Sequence, residues 1–162
     1  MIIRKARLTD CLDLAALSLQ VWLQTHATQG LRATISHYAL STFTERSFQQ
    51  RLKEPGAEIW VALIEGHLVG YIAVDLGSYF NSKANGYEVT TLYVSEHFQG
   101  QGIGRQLLET VKKQYGLPYW LSVWVKNDQA INFYTKPGLR VIGEVNFNLD
   151  GELHQNQVFS NT

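Results

Sequence analysis

Two stretches of this chain carry residues whose types and spacing suit chemistry. The first is Gln99-Gly100-Gln101-Gly102-Ile103-Gly104, lying directly between a strand pattern and an amphipathic helical pattern. At a helix start the first backbone N–H groups lack carbonyl partners and the dipole is positive, so an anion binds without any charged side chain. Glycine keeps side chains out of the way, and its freedom at positive φ lets successive N–H groups face one concavity. The second stretch, Asn127-Asp128-Gln129-Ala130-Ile131-Asn132-Phe133-Tyr134, is a short helical segment ending on a phenol. A phenol with a pKa of about 10 stays protonated at neutral pH and can hand its proton to a leaving group.

Spacing separates the phosphate-binding schemes. No G-x-x-x-x-G-K-[ST] string of a Walker loop occurs. The G-x-G-x-x-G dinucleotide fingerprint fails because the third glycine comes one residue early, and Tyr119 to Val125 beyond the helix offers no acid for a ribose. A nicotinamide-nucleotide binder is therefore the weakest alternative. His26, His37, His67, His97 and His154 form no H-x-x-x-H pair and Cys11 has no C-x-x-C companion, so no metal is expected. The absence of a G-x-S-x-G elbow, or of a cysteine placed in one, argues against a covalent acyl-enzyme.

The elements that must position these residues follow from the hydrophobic period. Ile2 to Ala6 read as a strand, and Thr9 as the N-cap of a long helix with Asp10 and Asp13 in its first turn and apolar spacing at Leu12, Ala16, Leu19 and Leu23. Ile35 to Leu40 and Thr44 to Lys53 form one broken or two short helices, ended by Pro55-Gly56. Strands at Glu58 to Ile64, Leu68 to Leu76 and Tyr87 to Val94 make an antiparallel meander, its first turn at Glu65-Gly66-His67. The helix from Gly102 to Tyr115 shows one stripe of Ile103, Leu107, Leu108 and Val111 and packs on the sheet. Tyr119 to Val125 is a strand and Asp128 to Lys136 a short helix, before Leu139 to Asn148 and Glu152 to Phe159 pair across Asp150-Gly151. Helices before and between runs of strands indicate an α+β domain around one mixed sheet.

With 162 residues, one domain over 1–162 is expected. Lys plus Arg and Asp plus Glu number 14 each, which leaves no overall footprint for nucleic acid or an anionic membrane. The N-terminus turns charged at Arg4-Lys5 without a signal-length apolar run, and a single cysteine suits a reducing compartment, so a cytoplasmic location is expected.

The [QR]-x-x-G-x-[GA] pattern at Gln99 to Gly104, the preceding Leu92-Tyr93-Val94 and the following Asn127 to Tyr134 together resemble the GCN5-related N-acetyltransferases. Trp124-Val125-Lys126-Asn127, Phe133-Tyr134-Thr135-Lys136 and Phe147-Asn148-Leu149-Asp150 look most like bacterial PaiA-type polyamine N-acetyltransferases. Pro137 and Leu139 depart from the pattern behind the tyrosine. The resemblance implies a mostly antiparallel sheet of about seven strands with about four flanking helices. It further implies an enzyme that uses acetyl-CoA and no metal, with a small-molecule amine as partner, a polyamine or similar cation by the narrower likeness, and with a homodimer admitted.

Implied cofactor contacts are Leu92, Tyr93, Val94, Gln99, Gly100, Gln101, Gly102, Ile103, Gly104, Arg105, Asn127, Ala130, Phe133 and Lys136, with Lys126 a further cation for the phosphates. Asn127 either bonds the cofactor or caps its helix. Tyr134 is the expected acid for the departing thiolate and Glu88 the expected base, since an alkylammonium of pKa about 10.4 must lose a proton before it attacks. Trp22, His26, Tyr38 and Phe43 fall where such enzymes shape the acceptor pocket, and can either cradle a cation by cation–π contact or simply pack. A non-catalytic acetyl-CoA sensor is the alternative function.

Overall fold

The computed structural model describes residues 1–162. Its strands are β1 (Ile2–Lys5), β2 (Ala57–Ile64), β3 (His67–Asp75), β4 (Tyr87–Val94), β5 (Tyr119–Trp124), β6 (Arg140–Leu149) and β7 (Glu152–Ser160). Its helices are α1 (Cys11–His26), α2 (Ala33–Thr42), α3 (Glu45–Arg51), α4 (Ile103–Tyr115) and α5 (Asp128–Thr135). The strands form one sheet in the order β1-β2-β3-β4-β5-β7-β6, antiparallel throughout except at β4–β5. This is the expected α+β architecture, with five α-helices rather than about four. The additional one arises because Thr44 is extended and caps α3: its Oγ1 accepts the Ser47 N–H at 3.1 Å while Ser47 Oγ accepts the Thr44 N–H at 3.2 Å.

Strand alternation gives the sheet two buried faces. Ile72 and Val74 of β3 pack with Ile103, Leu107, Leu108 and Val111 of α4 on one side. Tyr71 and Ala73 pack with Cys11, Leu14, Leu17 and Val21 of α1 and Phe48 of α3 on the other. Both hairpin turns have two residues at positive φ, Glu65 (50°) with Gly66 (80°) and Asp150 (50°) with Gly151 (86°), the geometry whose twist suits paired strands. His67 therefore belongs to β3 and not to the turn.

The start of α1 differs from the sequence reading. Thr9 does not cap it but sits inside a 3-10 turn, Leu8–Asp10. Asp10 closes that turn by accepting the Arg7 N–H at 2.7 Å and Arg4 Nη1 at 2.7 Å. The buried face is also different: Leu12 is 62% exposed, whereas Leu14, Leu17, Ser18, Val21 and Trp22 are buried. Apolar residues occur all round this helix, so their spacing does not select a face. Ser18 is hidden because its Oγ donates to the Leu14 carbonyl at 2.6 Å and lies 2.7 Å from Tyr71 Oη.

Candidate active site

The parallel pair opens the sheet. β4 and β5 are registered only at Tyr87↔Tyr119 and Glu88↔Trp120, while β4 stays paired with β3 out to Val94. Beyond Glu88 the β5 side of β4 is unpaired, and the two strands separate around a cleft with two lobes. One lobe has a volume of about 550 Å³ and the other about 610 Å³. They meet at Leu92, Tyr93, Asn127, Ala130 and Tyr134.

The smaller lobe is the glycine-loop lobe. Val94, Gln99, Gly100, Gly102, Ile103, Gly104, Arg105, Phe133 and Lys136 line it. Six consecutive N–H groups, Gly100 through Arg105, donate to no carbonyl or side chain, whereas the next, Gln106, donates to the Gly102 carbonyl at 3.0 Å. Gly100 (φ 76°) and Gly102 (φ 81°) hold the left-handed backbone that aims these groups, and a Cβ at either would meet nothing within 4 Å. A Cβ at Gly104 would lie 3.5 Å from the Phe133 ring, so this third glycine lets α5 approach α4. Gln99 ties the loop down, its Nε2 donating to the Val94 carbonyl and its Oε1 accepting from Gln129 Nε2, both at 2.9 Å. An uncharged concavity of free N–H groups with Arg105 and Lys136 on its border fits the pyrophosphate of a coenzyme A.

Two expected phosphate contacts fall elsewhere. Gln101 does not line the lobe; its side chain turns toward the His97 carbonyl. Lys126 stands over the Trp124 ring, 5.8 Å from its centroid, outside the glycine-loop lobe. The two uses weighed for Asn127 are both compatible with its position: Oδ1 accepts the Ala130 N–H at 3.1 Å and caps α5, and the residue borders both lobes.

The larger lobe is aromatic. Trp22, His26, Tyr38, Phe43 and Glu88 all line it. His26 is stacked between Trp22 (4.4 Å between centroids) and Trp124 (4.8 Å), and Tyr38 meets Trp22 at 4.8 Å and Phe147 edge-on at 5.3 Å. Burial, and secondarily the charge of His154, pushes the His26 imidazole down to about 4, so it is neutral at pH 7. Glu88 is held above the usual carboxylate range, chiefly by burial; the hydrogen bond from Ser78 Oγ at 2.7 Å opposes this, Asp75 adds to it and Arg51 again opposes it. Tyr134 has no hydrogen-bond partner, and burial first, then Tyr119, holds its phenol well above its ordinary value. It is a protonated donor at the junction of the lobes.

Sequence reasoning missed Arg51, Asp75, Thr90, Ser122, Trp124, His154 and Asn156 in the larger lobe. Arg51 ends α3, where a cation ordinarily complements the helix dipole and attracts no notice. Asn156 reaches the cleft only because β7 pairs Asn156 with Trp124. No group of three or more His, Cys, Asp and Glu side chains is placed to hold a metal ion, and no helix is long and apolar enough to cross a membrane.

The model of the acetyltransferase (GNAT) family matches residues 22–139. An uncharacterized N-acetyltransferase in the pepI 3' region of Lactobacillus delbrueckii subsp. lactis is 26% identical over 142 residues, which cover 83% of this chain and 82% of the relative. The PaiA N-acetyltransferase of Thermoplasma acidophilum, solved in complex with coenzyme A, superposes with a TM-score of 0.74 at 21% identity, covering 96% of each chain. A GCN5-related N-acetyltransferase of Rhodopseudomonas palustris superposes with a TM-score of 0.76 at 20% identity, covering 99% of this chain and 94% of the other. At such identities the two solved structures establish a shared fold.

Proposed function

This chain belongs to the acetyltransferase (GNAT) family, and we propose that its 162 residues form one catalytic domain that passes the acetyl group of acetyl-CoA directly to a primary amine in a ternary complex. The observation that carries this reading is the meeting of a lobe edged with free N–H groups and an aromatic lobe at one buried phenol, Tyr134.

Bound acetyl-CoA supplies a thioester whose sulfur is the leaving group. The N–H groups of Gly100 and of Gly102 through Arg105 hold the pyrophosphate. Leu92 to Val94, unpaired toward β5, offer backbone groups to the pantetheine arm, and an N–H there stabilises negative charge on the acetyl oxygen. Tyr134 donates its proton to the departing sulfur and regains one from the nitrogen, which loses its second proton as the amide forms. Glu88, made more basic by burial, accepts the proton that the ammonium sheds, directly or through water.

A polyamine acceptor is a second reading, favoured by Asp75 and Glu88 on a lobe walled with aromatic faces. A thiol-release assay with acetyl-CoA and a panel of polyamines, amino acids and peptides tests the activity. Release that depends on one class of amine is the expected result. Coenzyme A binding with no turnover on any amine overturns the enzymatic reading in favour of a sensor.

A further inference from the structure

Two buried side-chain polar atoms of this chain have no hydrogen-bond partner, Arg51 Nε and Asn156 Oδ1. Both residues line the aromatic lobe. Native proteins leave very few such groups unpaired, and those they leave call for a specific explanation. Here a donor and an acceptor stand unpaired on two residues that wall one cavity, so a small turn of each side chain toward a ligand with complementary ends would satisfy both.

Arg51 is built in rather than draped over a surface. Its Nη2 donates to Thr90 Oγ1 at 3.1 Å, and that hydroxyl donates in turn to the Ala73 carbonyl at 3.1 Å. Thr90 is the residue that the β3–β4 register skips between Ala73 and Val74, so the irregularity in the ladder provides the hydroxyl that orients the guanidinium. No carboxylate of the chain forms an ion pair with Arg51, although Arg4, Arg32, Lys5 and Lys112 all have one. The two carboxylates in the same lobe are engaged elsewhere: Glu88 Oε2 accepts from Ser78 Oγ at 2.7 Å, and Asp75 Oδ1 accepts the Gly77 N–H at 2.9 Å. A fixed guanidinium with a free buried N–H is suited to a carboxylate, which it binds through two parallel hydrogen bonds. A polycation in the same lobe would meet the repulsion of that charge beside the attraction of Asp75 and Glu88.

We propose that the acceptor is an amine that also bears a carboxylate, an amino acid or small peptide, with the carboxylate seated on Arg51 and the nitrogen end directed across the lobe toward Asn156. This deepens the acetyl-transfer reading and rests on it. Asn156 Oδ1 accepts an N–H from the substrate on the β7 side of the cleft, beside Trp124.

The experiment compares matched acceptors in the thiol-release assay: α-, β- and ω-amino acids against alkylamines of equal length, with putrescine and spermidine beside them. Wild-type protein is expected to favour the carboxylated member in kcat/KM on the order of 100-fold, the size of a buried charged hydrogen bond. In Arg51→Gln that ratio falls to about one, and Arg51→Lys, which keeps the charge without the fork, lies between. Equal use of both members, or a preference for polyamines that Arg51→Gln leaves in place, overturns the proposal. If no amine turns over, the enzymatic reading fails, and calorimetry on the acetylated compounds still decides this one. Binding of 6-acetamidohexanoate but not N-hexylacetamide, lost in Arg51→Gln, sustains it; no carboxylate-dependent binding overturns it.

Discussion

Gly102→Asp puts the anion-binding reading at risk most directly. Gly102 is the N-cap of α4 at φ 81°, and a side chain there meets no protein atom within 4 Å, so an aspartate would project into the glycine-loop lobe. Left-handed backbone costs a non-glycine residue about 1–2 kcal/mol, least for Asn and Asp, and a carboxylate at a helix N-terminus returns about 0.5–1 kcal/mol. The two nearly cancel, and the unfolding midpoint should move by less than about 4 °C. Ligand binding has no such offset. A carboxylate about 5 Å from one phosphate charge, at an effective dielectric of about 20, costs about 3 kcal/mol, and a pyrophosphate presents more than one charge. Calorimetric titration with coenzyme A should therefore show a Kd raised at least about 100-fold, with part of the loss relieved by salt. Gly102→Ala shares the backbone strain without the charge and should lose far less. A folded Gly102→Asp protein that binds coenzyme A within about threefold of wild type refutes the assignment of the N–H cradle.

Tyr134→Phe should lower kcat by roughly 100-fold or more with coenzyme A affinity unchanged, since the phenol has no partner in the folded chain to lose; an unaltered rate measured by thiol release removes its acid role. For Glu88→Gln, the acidic limb of the kcat/KM profile, which should lie above the usual carboxylate range, should disappear. Because the folded chain favours protonated Glu88, stability contributed by this group is present at low pH and is lost as pH rises from the ordinary carboxylate value through the raised folded one. Glu88→Gln should therefore be the more heat-stable protein at pH 7, and a lower melting temperature there contradicts the burial argument. Asp10→Ala removes the partner of Arg4 and of the Arg7 N–H together and should cost about 2–4 kcal/mol in urea unfolding; a change below about 1 kcal/mol would show the turn before α1 to be held by other contacts.

Features encoded by neighbouring residues were legible in the sequence. The stripe of α4, the two hairpin turns and the glycine loop each depend on period or backbone freedom within a few positions, and the structure places them where the spacing requires. Features set by distant pairing were not. Thr90 is indistinguishable from any strand threonine until β3 skips it, and Asn156 enters the cleft only through its register with Trp124. Arg51 reads as an ordinary helix-terminal cation, and only the fold shows that its Nε is buried without a partner. The face of α1 was misread for a related reason: the sequence classes Ser18 as polar, and only the Tyr71 hydroxyl across the core makes it a buried position.

The single parallel pairing in the sheet explains why both lobes open at one place. Antiparallel neighbours can be joined by a tight turn, but parallel strands need a crossover, and α4 supplies it between β4 and β5. The crossover begins at the C-terminal end of β4, so the unpaired N–H groups of Gly100 through Arg105 lie beside the backbone that β4 leaves unpaired past Glu88. Since β5 runs in the same direction, its C-terminal end reaches the same edge and leads directly through Asn127 into α5, which returns Tyr134 to the gap. Had β5 been antiparallel to β4, its C-terminal end and α5 would lie at the opposite edge, and the phenol could not meet the glycine loop. Continuing the β4–β5 ladder past Glu88 and Trp120 would close the cleft and expel Tyr134 from it. The proposed chemistry thus depends on two strands that share a direction and pair only where they start.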